Sequence, residues 1–335
     1  MRSLTRRQFL SSSAVAAATG WLSTLATGCQ PRRSDLELVI QGAASPPSLA
    51  LLRVAQSGTP PELAKNVRFQ VWNTVDEARA ALTSGHAHLS GLPVNVAATL
   101  HNRGLPVRLL DVYIWSILYL ISADPHVTSL ADLRGEQVLI PLRGDLPDIL
   151  TQYLLRKGGI DLARDCQALY VAAAPEAAQL LAAGRARHAV LSEPAATLAI
   201  WKAREQGLAL HRAVDYAHAW AGTTGRPPRL PMAGVVAAPS LVRTSPEVVA
   251  WFLAAHRQAC AWVAEHIEEA SALGAEAMRA VPPAVMSASL PHIRFEFVPA
   301  REARTEVEFF LNEMRALAPE WVGGDLPPDA FYHGT

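Results

Sequence analysis

A chain of 335 residues, half of them hydrophobic and 18% charged, has a globular composition with room for two ordinary domains. Thirty basic residues balance thirty acidic ones, and no run of Lys or Arg forms a nucleic-acid footprint, so that class is excluded. Cys29, Cys166 and Cys260 give neither a metal-ligand spacing nor a disulfide framework. Cys166 and Cys260 read as two buried small hydrophobes, although an oxidising compartment would let them pair.

In chain order, the first segment stands outside the fold. MRSLTRRQFLSSSAVAAATGWLSTLATGC (1–29) has a basic start, a weakly apolar middle and small residues before Cys29, the layout of a secretory signal. Its middle is Ala, Ser and Thr with few large hydrophobes, too weak for a membrane span. TRRQFL (5–10), with Arg6 and Arg7, resembles the twin-arginine export motif. LATGC (25–29) resembles a bacterial lipobox, with Ala26 where leucine is commoner. Residues 1–28 are therefore expected to be cleaved, Cys29 to be lipidated, and 29–35 to form a tether. The cleaved part holds three arginines and no acid, so the mature chain is slightly acidic. A lipid on Cys29 would hold it at a membrane surface without a span.

The rest alternates short apolar runs with amphipathic ones. LELVIQG (36–42) reads as a strand, SLALLRVAQSG (48–58) as a helix and VRFQVW (67–72) as a strand. TVDEARAALTSG (74–85) reads as a helix with Thr74 as N-cap, Glu77 three residues on and Gly85 as its stop. HAHLSGL, PVNVAATLHNRG and PVRLLDV continue the series, which predicts a parallel sheet covered by helices. The rhythm restarts at SLADLRGEQVLIPL and runs through DLPDILTQYLLRKGG, CQALYVAA, PEAAQLLAAGR, HAVLSE and PAATLAIWKAREQG. Between the two series lies VYIWSILYLISAD (112–124), and LPMAGVVAAPSL (230–241) closes the second. Two such crossings predict a two-segment hinge between two α/β lobes: residues 36–116 and 236–335 in lobe 1, 117–235 in lobe 2. The helical tail from Ser245 to Leu317 is expected to cover lobe 1, since a chain that crosses twice ends where it began.

Ligands of open parallel sheets bind beyond the carboxyl ends of the strands. Four junctions of that kind are visible: IQGAASPPSL, SGLPVNVAATL, IPLRGDLPDIL and HAVLSEPAAT. Each places a proline at or near the first helical turn, where a missing N–H does no harm. The remaining N–H groups would point into one crevice and favour a polar or anionic group. Glu193, a carboxylate between an apolar strand and a helix, has two open roles: a ligand clamp, or a group held by the helix N-terminus for structural reasons.

Signs of an enzyme are missing. There is no G-x-S-x-G elbow, no Cys–His pair suggested by sequence context, no Walker loop and no G-x-G-x-x-G after a strand. His86 and His88, two apart, would share a strand face and could bind a metal with a distant acid, but two polar residues on a strand edge explain them as well. No metal and no cofactor is expected.

The exported, lipidated start, the paired lobes, SLADLRGEQVLIPLRGDLPDIL (129–150), QLLAAGRARHAVLSEPAAT (179–197) and WVGGDLPPDAFY (321–332) resemble ABC-importer solute-binding lipoproteins. The similarity is to the nitrate/sulfonate/taurine and thiamine-precursor branch and covers essentially the whole mature chain. It implies the type II periplasmic-binding fold, an α/β fold of two lobes joined by a two-segment hinge. It also implies a monomeric, non-catalytic protein at the cell envelope, periplasmic or on the outer face of the cytoplasmic membrane. Such a protein would close on a small polar or anionic organic molecule and deliver it to an ABC permease and its ATPase. Position within that fold selects Ser45, Pro46, Trp72, Asn73, Pro93 and Asn95 from the first lobe as ligand-binding residues. From the second lobe it selects Arg143, Asp145 and Glu193, with Trp115 and Met232 near the crossings. Two alternatives stay open: an enzyme of pyrimidine or thiamine-precursor metabolism on the same fold, whose Cys-rich motif this chain lacks, and a solute sensor without transport.

Overall fold

A computed structural model describes residues 34–278 and 281–334. The twin-arginine motif, the lipobox and Cys29 lie outside the described residues.

The first series forms β1 (Glu37–Ala43), α1 (Ser48–Ser57), β2 (Asn66–Trp72), α2 (Val75–Ser84), β3 (Leu89–Pro93), α3 (Val94–Asn102) and β4 (Arg108–Ile114). The local chemistry is as the sequence predicts at α2. Thr74 accepts the Glu77 N–H, Glu77 accepts the Asn73 N–H, and Gly85 closes the helix in the left-handed region. After a crossing at 115–117 come β5 (Leu118–Ser122), β6 (Gln137–Pro141), α4 (Leu146–Lys157), α5 (Leu162–Asp165) and β7 (Gln167–Val171). Then follow α6 (Ala174–Ala182), β8 (His188–Ser192), α7 (Ala195–Glu205), β9 (His211–Asp215) and α8 (Tyr216–Thr224). The chain returns through 230–232 into β10 (Ala233–Ala237) and α9 (Pro239–Thr244). It ends with α10 (Pro246–Glu265), α11 (Ile267–Ala277), α12 (Pro283–Ser289), β11 (Phe295–Pro299) and α13 (Ala300–Leu317).

These strands make two sheets, ordered β11-β4-β10-β3-β1-β2 and β7-β6-β8-β5-β9. Both are mixed, where the strand–helix rhythm predicts parallel sheets. The cause is the crossing itself. Strands β3 and β4 run toward the hinge, whereas β10 starts at the hinge and runs away, so it inserts between them antiparallel to both. For the same reason β5 lies antiparallel between β8 and β9. The lobe boundary read between 235 and 236 falls inside β10, all of whose residues pair in the six-stranded sheet.

The two crossings are hydrogen-bonded to each other. Leu230 N–H donates to Trp115 O at 3.1 Å and Met232 N–H to Ile114 O at 2.9 Å. A third segment joins them, since Trp115 N–H donates to Arg294 O and Arg294 N–H to Ser116 O. The tail helices cover the first sheet, with α10 against β4 and β11, but they also reach the second: α12 packs on α7 and α13 on α4. Glu313 on α13 accepts from Tyr153 Oη at 2.8 Å and pairs with Lys157 at 2.8 Å. No helix among the described residues is long and apolar enough to cross a membrane.

Candidate functional site

A cavity of about 190 Å³ lies between the two sheets, at the carboxyl ends of β1, β2, β3 and β8 and beside both crossings. The strand direction explains the place: helices α1, α3, α4 and α7 all begin at this rim, so their first turns and the preceding strand ends form its walls. Proline sits at the N-cap of α1, α3 and α7 (Pro47, Pro93, Pro194) and in the first turn of α4 (Pro147).

Of the positions selected from sequence, Ser45, Trp72, Pro93, Glu193 and Met232 line this cavity. The other six lie elsewhere. Pro46 is buried and does not line the cavity, whereas Pro47 does. Asn73 is exposed and donates to Glu77. Asn95 and Asp145 line a separate open groove of about 800 Å³ with Arg79, Arg103 and Trp321. Trp115 is fully buried, donates from Nε1 to Glu296 O at 2.8 Å and lies under the Arg229 guanidinium. Arg143 is exposed and stacks on Tyr170 at 4.9 Å. At that loop the backbone turns through left-handed positions at Leu142 (φ 58°) and Gly144 (φ 83°), which brings Leu146 and Pro147 to the cavity instead.

Sequence reasoning missed Tyr113, Ser48, Ile117 and Ser192, all at the cavity. Ser192 stands in the quoted strand HAVLSE beside Glu193. Tyr113 and Ile117 were hidden in the apolar crossing VYIWSILYLISAD. Gly91 makes room for Tyr113: a Cβ there would sit 3.0 Å from the Tyr113 hydroxyl and 2.9 Å from Leu51. Burial, followed by Cys260 and Asp111 nearby, pushes the Tyr113 phenol well up, so its hydroxyl keeps its proton.

Glu193 is fully engaged. One carboxylate oxygen accepts from Thr197 N–H at 3.1 Å and Thr197 Oγ1 at 2.7 Å, and the other from Arg212 Nε at 2.9 Å and Arg212 Nη2. Its side chain is inaccessible to solvent, while that of Arg212 is 19% exposed. Glu193 thus holds the first turn of α7 and is neutralised by a strand β9 arginine, in addition to lining the cavity.

A second buried ionic group lies in the first lobe. His256 Nδ1 is 3.1 Å from Asp111 Oδ2, and Cys260 Sγ is 3.6 Å from His256 Nε2. This is a Cys–His pair of the kind sequence context did not suggest. All three residues are buried, with Phe252 stacked on the imidazole and Tyr113 edge-on to it, so no substrate reaches the thiol. Burial disfavours the imidazolium, but Cys260 and Asp111 more than reverse this and push His256 up to about 10. Cys166 and Cys260 are both free and buried.

Among the described residues no cluster of three or more His, Cys, Asp or Glu forms a metal site. His86 bonds Ser84 and His88 accepts the Val39 N–H, so each has a local structural partner.

Two mixed α/β sheets, joined by paired crossings and enclosing a cavity at their strand ends, constitute the type II periplasmic-binding fold. Solved structures agree. An ABC transporter from Parabacteroides distasonis is similar at 24% identity and TM-score 0.75, over 90% of this chain and 99% of that one. The periplasmic aliphatic sulphonate binding protein of Escherichia coli is similar at 15% identity and TM-score 0.68, over 90% and 93%. The periplasmic nitrate-binding protein of Synechocystis PCC 6803 is similar at 15% identity and TM-score 0.60, over 85% and 82%. No family model matches the chain, and no curated protein matches it in sequence.

Proposed function

We propose that this protein is the solute-binding component of an ABC importer: it captures a small organic molecule between its lobes and delivers it to a membrane permease. The observation that supports this best is the cavity shared by both lobes at the strand ends, flanked by crossings that hinge the lobes together. A ligand touching both walls favours the closed arrangement by its differential affinity for it. Ser45, Trp72, Pro93, Glu193 and Met232 are proposed to form part of its binding surface. The structural neighbours carry printed names of sulphonate- and nitrate-binding and ABC-transporter proteins, which favours transport over catalysis. Export by the twin-arginine signal and a lipid anchor on Cys29 complete the reading, with a monomer at the envelope.

The test is native mass spectrometry of the protein purified from its own host. One small molecule per chain, released unchanged after prolonged incubation, is expected. Chemical turnover of that molecule by the isolated protein would sink the binding reading in favour of an enzyme.

A further inference from the structure

The cavity has walls of Trp72, Leu92, Ile117, Leu146 and Met232, and its hydroxyl-bearing lining residues are Ser45, Ser48, Tyr113 and Ser192. The Ser48 hydroxyl is spent on Ala43 O, and the indole nitrogen of Trp72 is buried from solvent without a partner among the described residues. Every one of these is uncharged. The single acidic side chain at the lining, Glu193, is already paired with Arg212 and hydrogen-bonded by Thr197. No Lys, Arg or His lines the cavity among the described residues.

The helix N-termini around the rim do not replace a cation. An anion there needs free N–H groups and an uncompensated dipole. At α7 the dipole is met by Glu193, which takes the Thr197 N–H. At α4 buried Asp148 takes the Gly144 N–H at 2.8 Å. At α1 the Ser48 and Leu49 N–H groups bond Ser45 O and Pro46 O, and at α3 the Val94 N–H bonds Met232 O. Two ends carry their own carboxylate, and at the other two the Ser48, Leu49 and Val94 N–H groups are spent on backbone carbonyls. Moving an oxyanion from water into apolar walls without a counter-charge is costly, and an ammonium would find the one carboxylate occupied.

We infer that the cleft selects an uncharged molecule with an apolar body and a few hydrogen-bonding groups, and rejects oxyanions such as nitrate and sulfonates. This rests on the proposal that the cleft is the ligand site. It separates the chain from the neighbours named for nitrate and sulphonate, whose fold it shares.

Calorimetry on the mature chain tests it with matched probes: benzamide, benzenesulfonate, benzylamine and nitrate, each at low and high salt. Benzamide is expected to bind at least ten-fold more tightly than the three ions, with a Kd insensitive to salt. Equal or tighter binding of nitrate, benzenesulfonate or benzylammonium overturns the inference and leaves the importer reading standing. Binding of none of the four, by a protein that also carries no small molecule from its host, overturns both.

Discussion

The first lobe buries Asp111 and the second buries Asp148 and Glu193, and the two that are ion-paired, Asp111 and Glu193, are treated differently. Glu193 sits at a strand-to-helix junction beside the cavity and is held by an arginine whose outer edge reaches water. Asp111 sits mid-strand in β4, inside the six-stranded sheet, and is held by a histidine with no exposure at all. The first pair is held by a guanidinium through two N–H donors. The second depends on an imidazole, which can give up its proton. The Glu193 pair lies at the cavity, while the titratable imidazole lies in the scaffold behind Tyr113.

The largest expected effect tests whether burial or pairing sets the worth of each group. Asp111→Ala strands His256 in the core, and breaking a buried pair costs about 3–5 kcal/mol. Glu193→Ala leaves Arg212 free to turn toward solvent. It should cost about 1.5–3 kcal/mol, the scale of lost charge-assisted hydrogen bonds. Urea unfolding midpoints at constant m-value check this. Equal losses in the two variants would mean that the partial exposure of Arg212 makes no difference.

The two carboxylates also show what a sequence can reveal. Glu193 stood out because it follows four small or apolar residues and precedes a proline and a helix, so both its junction and its link to the helix N-terminus were legible. Ser45, Trp72 and Pro93, chosen by the same strand-end rule, and Met232, chosen for its place beside a crossing, lie at the cavity, since strand ends are readable from local periodicity. Asp111 lies in PVRLLDV, and its partner is 145 residues away on α10. The i,i+4 spacing of His256 and Cys260 is local, but nothing local says that this face packs on β4. Arg143 and Asp145 failed to reach the cavity because left-handed backbone at Leu142 and Gly144 sets which side chains face inward. The antiparallel β10 was likewise invisible, because the pairing partner of a strand arriving from the other lobe is decided by topology and not by its own residues.

Alkaline pH separates the two buried groups further. His256 has a folded value of about 10, above the ordinary value of 6.5. Its protonated form is thus favoured by folding, and the stability it contributes is fully present below about 6.5. That contribution is lost as pH rises through about 10. The melting temperature should fall from pH 7 toward pH 10 in the wild type. The slope should flatten in Asp111→Asn, which removes the charge that favours the imidazolium. In Glu193→Gln the alkaline slope should persist, because the Asp111–His256 contact is untouched. An Asp111→Asn curve parallel to wild type would place the titration elsewhere.

The smallest effect concerns the third member of the buried group. Cys260 lies 3.6 Å from His256 and packs with little exposed surface, so Cys260→Ala removes one sulfur contact and opens a small void. A loss of about 1 kcal/mol is expected, the usual cost of a point substitution in a packed site. The thiol raises the histidine along with Asp111, so the alkaline fall in melting temperature should level off at lower pH in this variant and be smaller in total. The thiol itself should react with a disulfide reagent only as fast as the lobe opens, because a nucleophile without access is inert whatever its neighbours. Labelling of Cys260 in the native protein much faster than global unfolding, in a Cys166→Ala background, would show that the first-lobe core opens on its own. The Asp111 cluster would then be no more sequestered than the Glu193 pair.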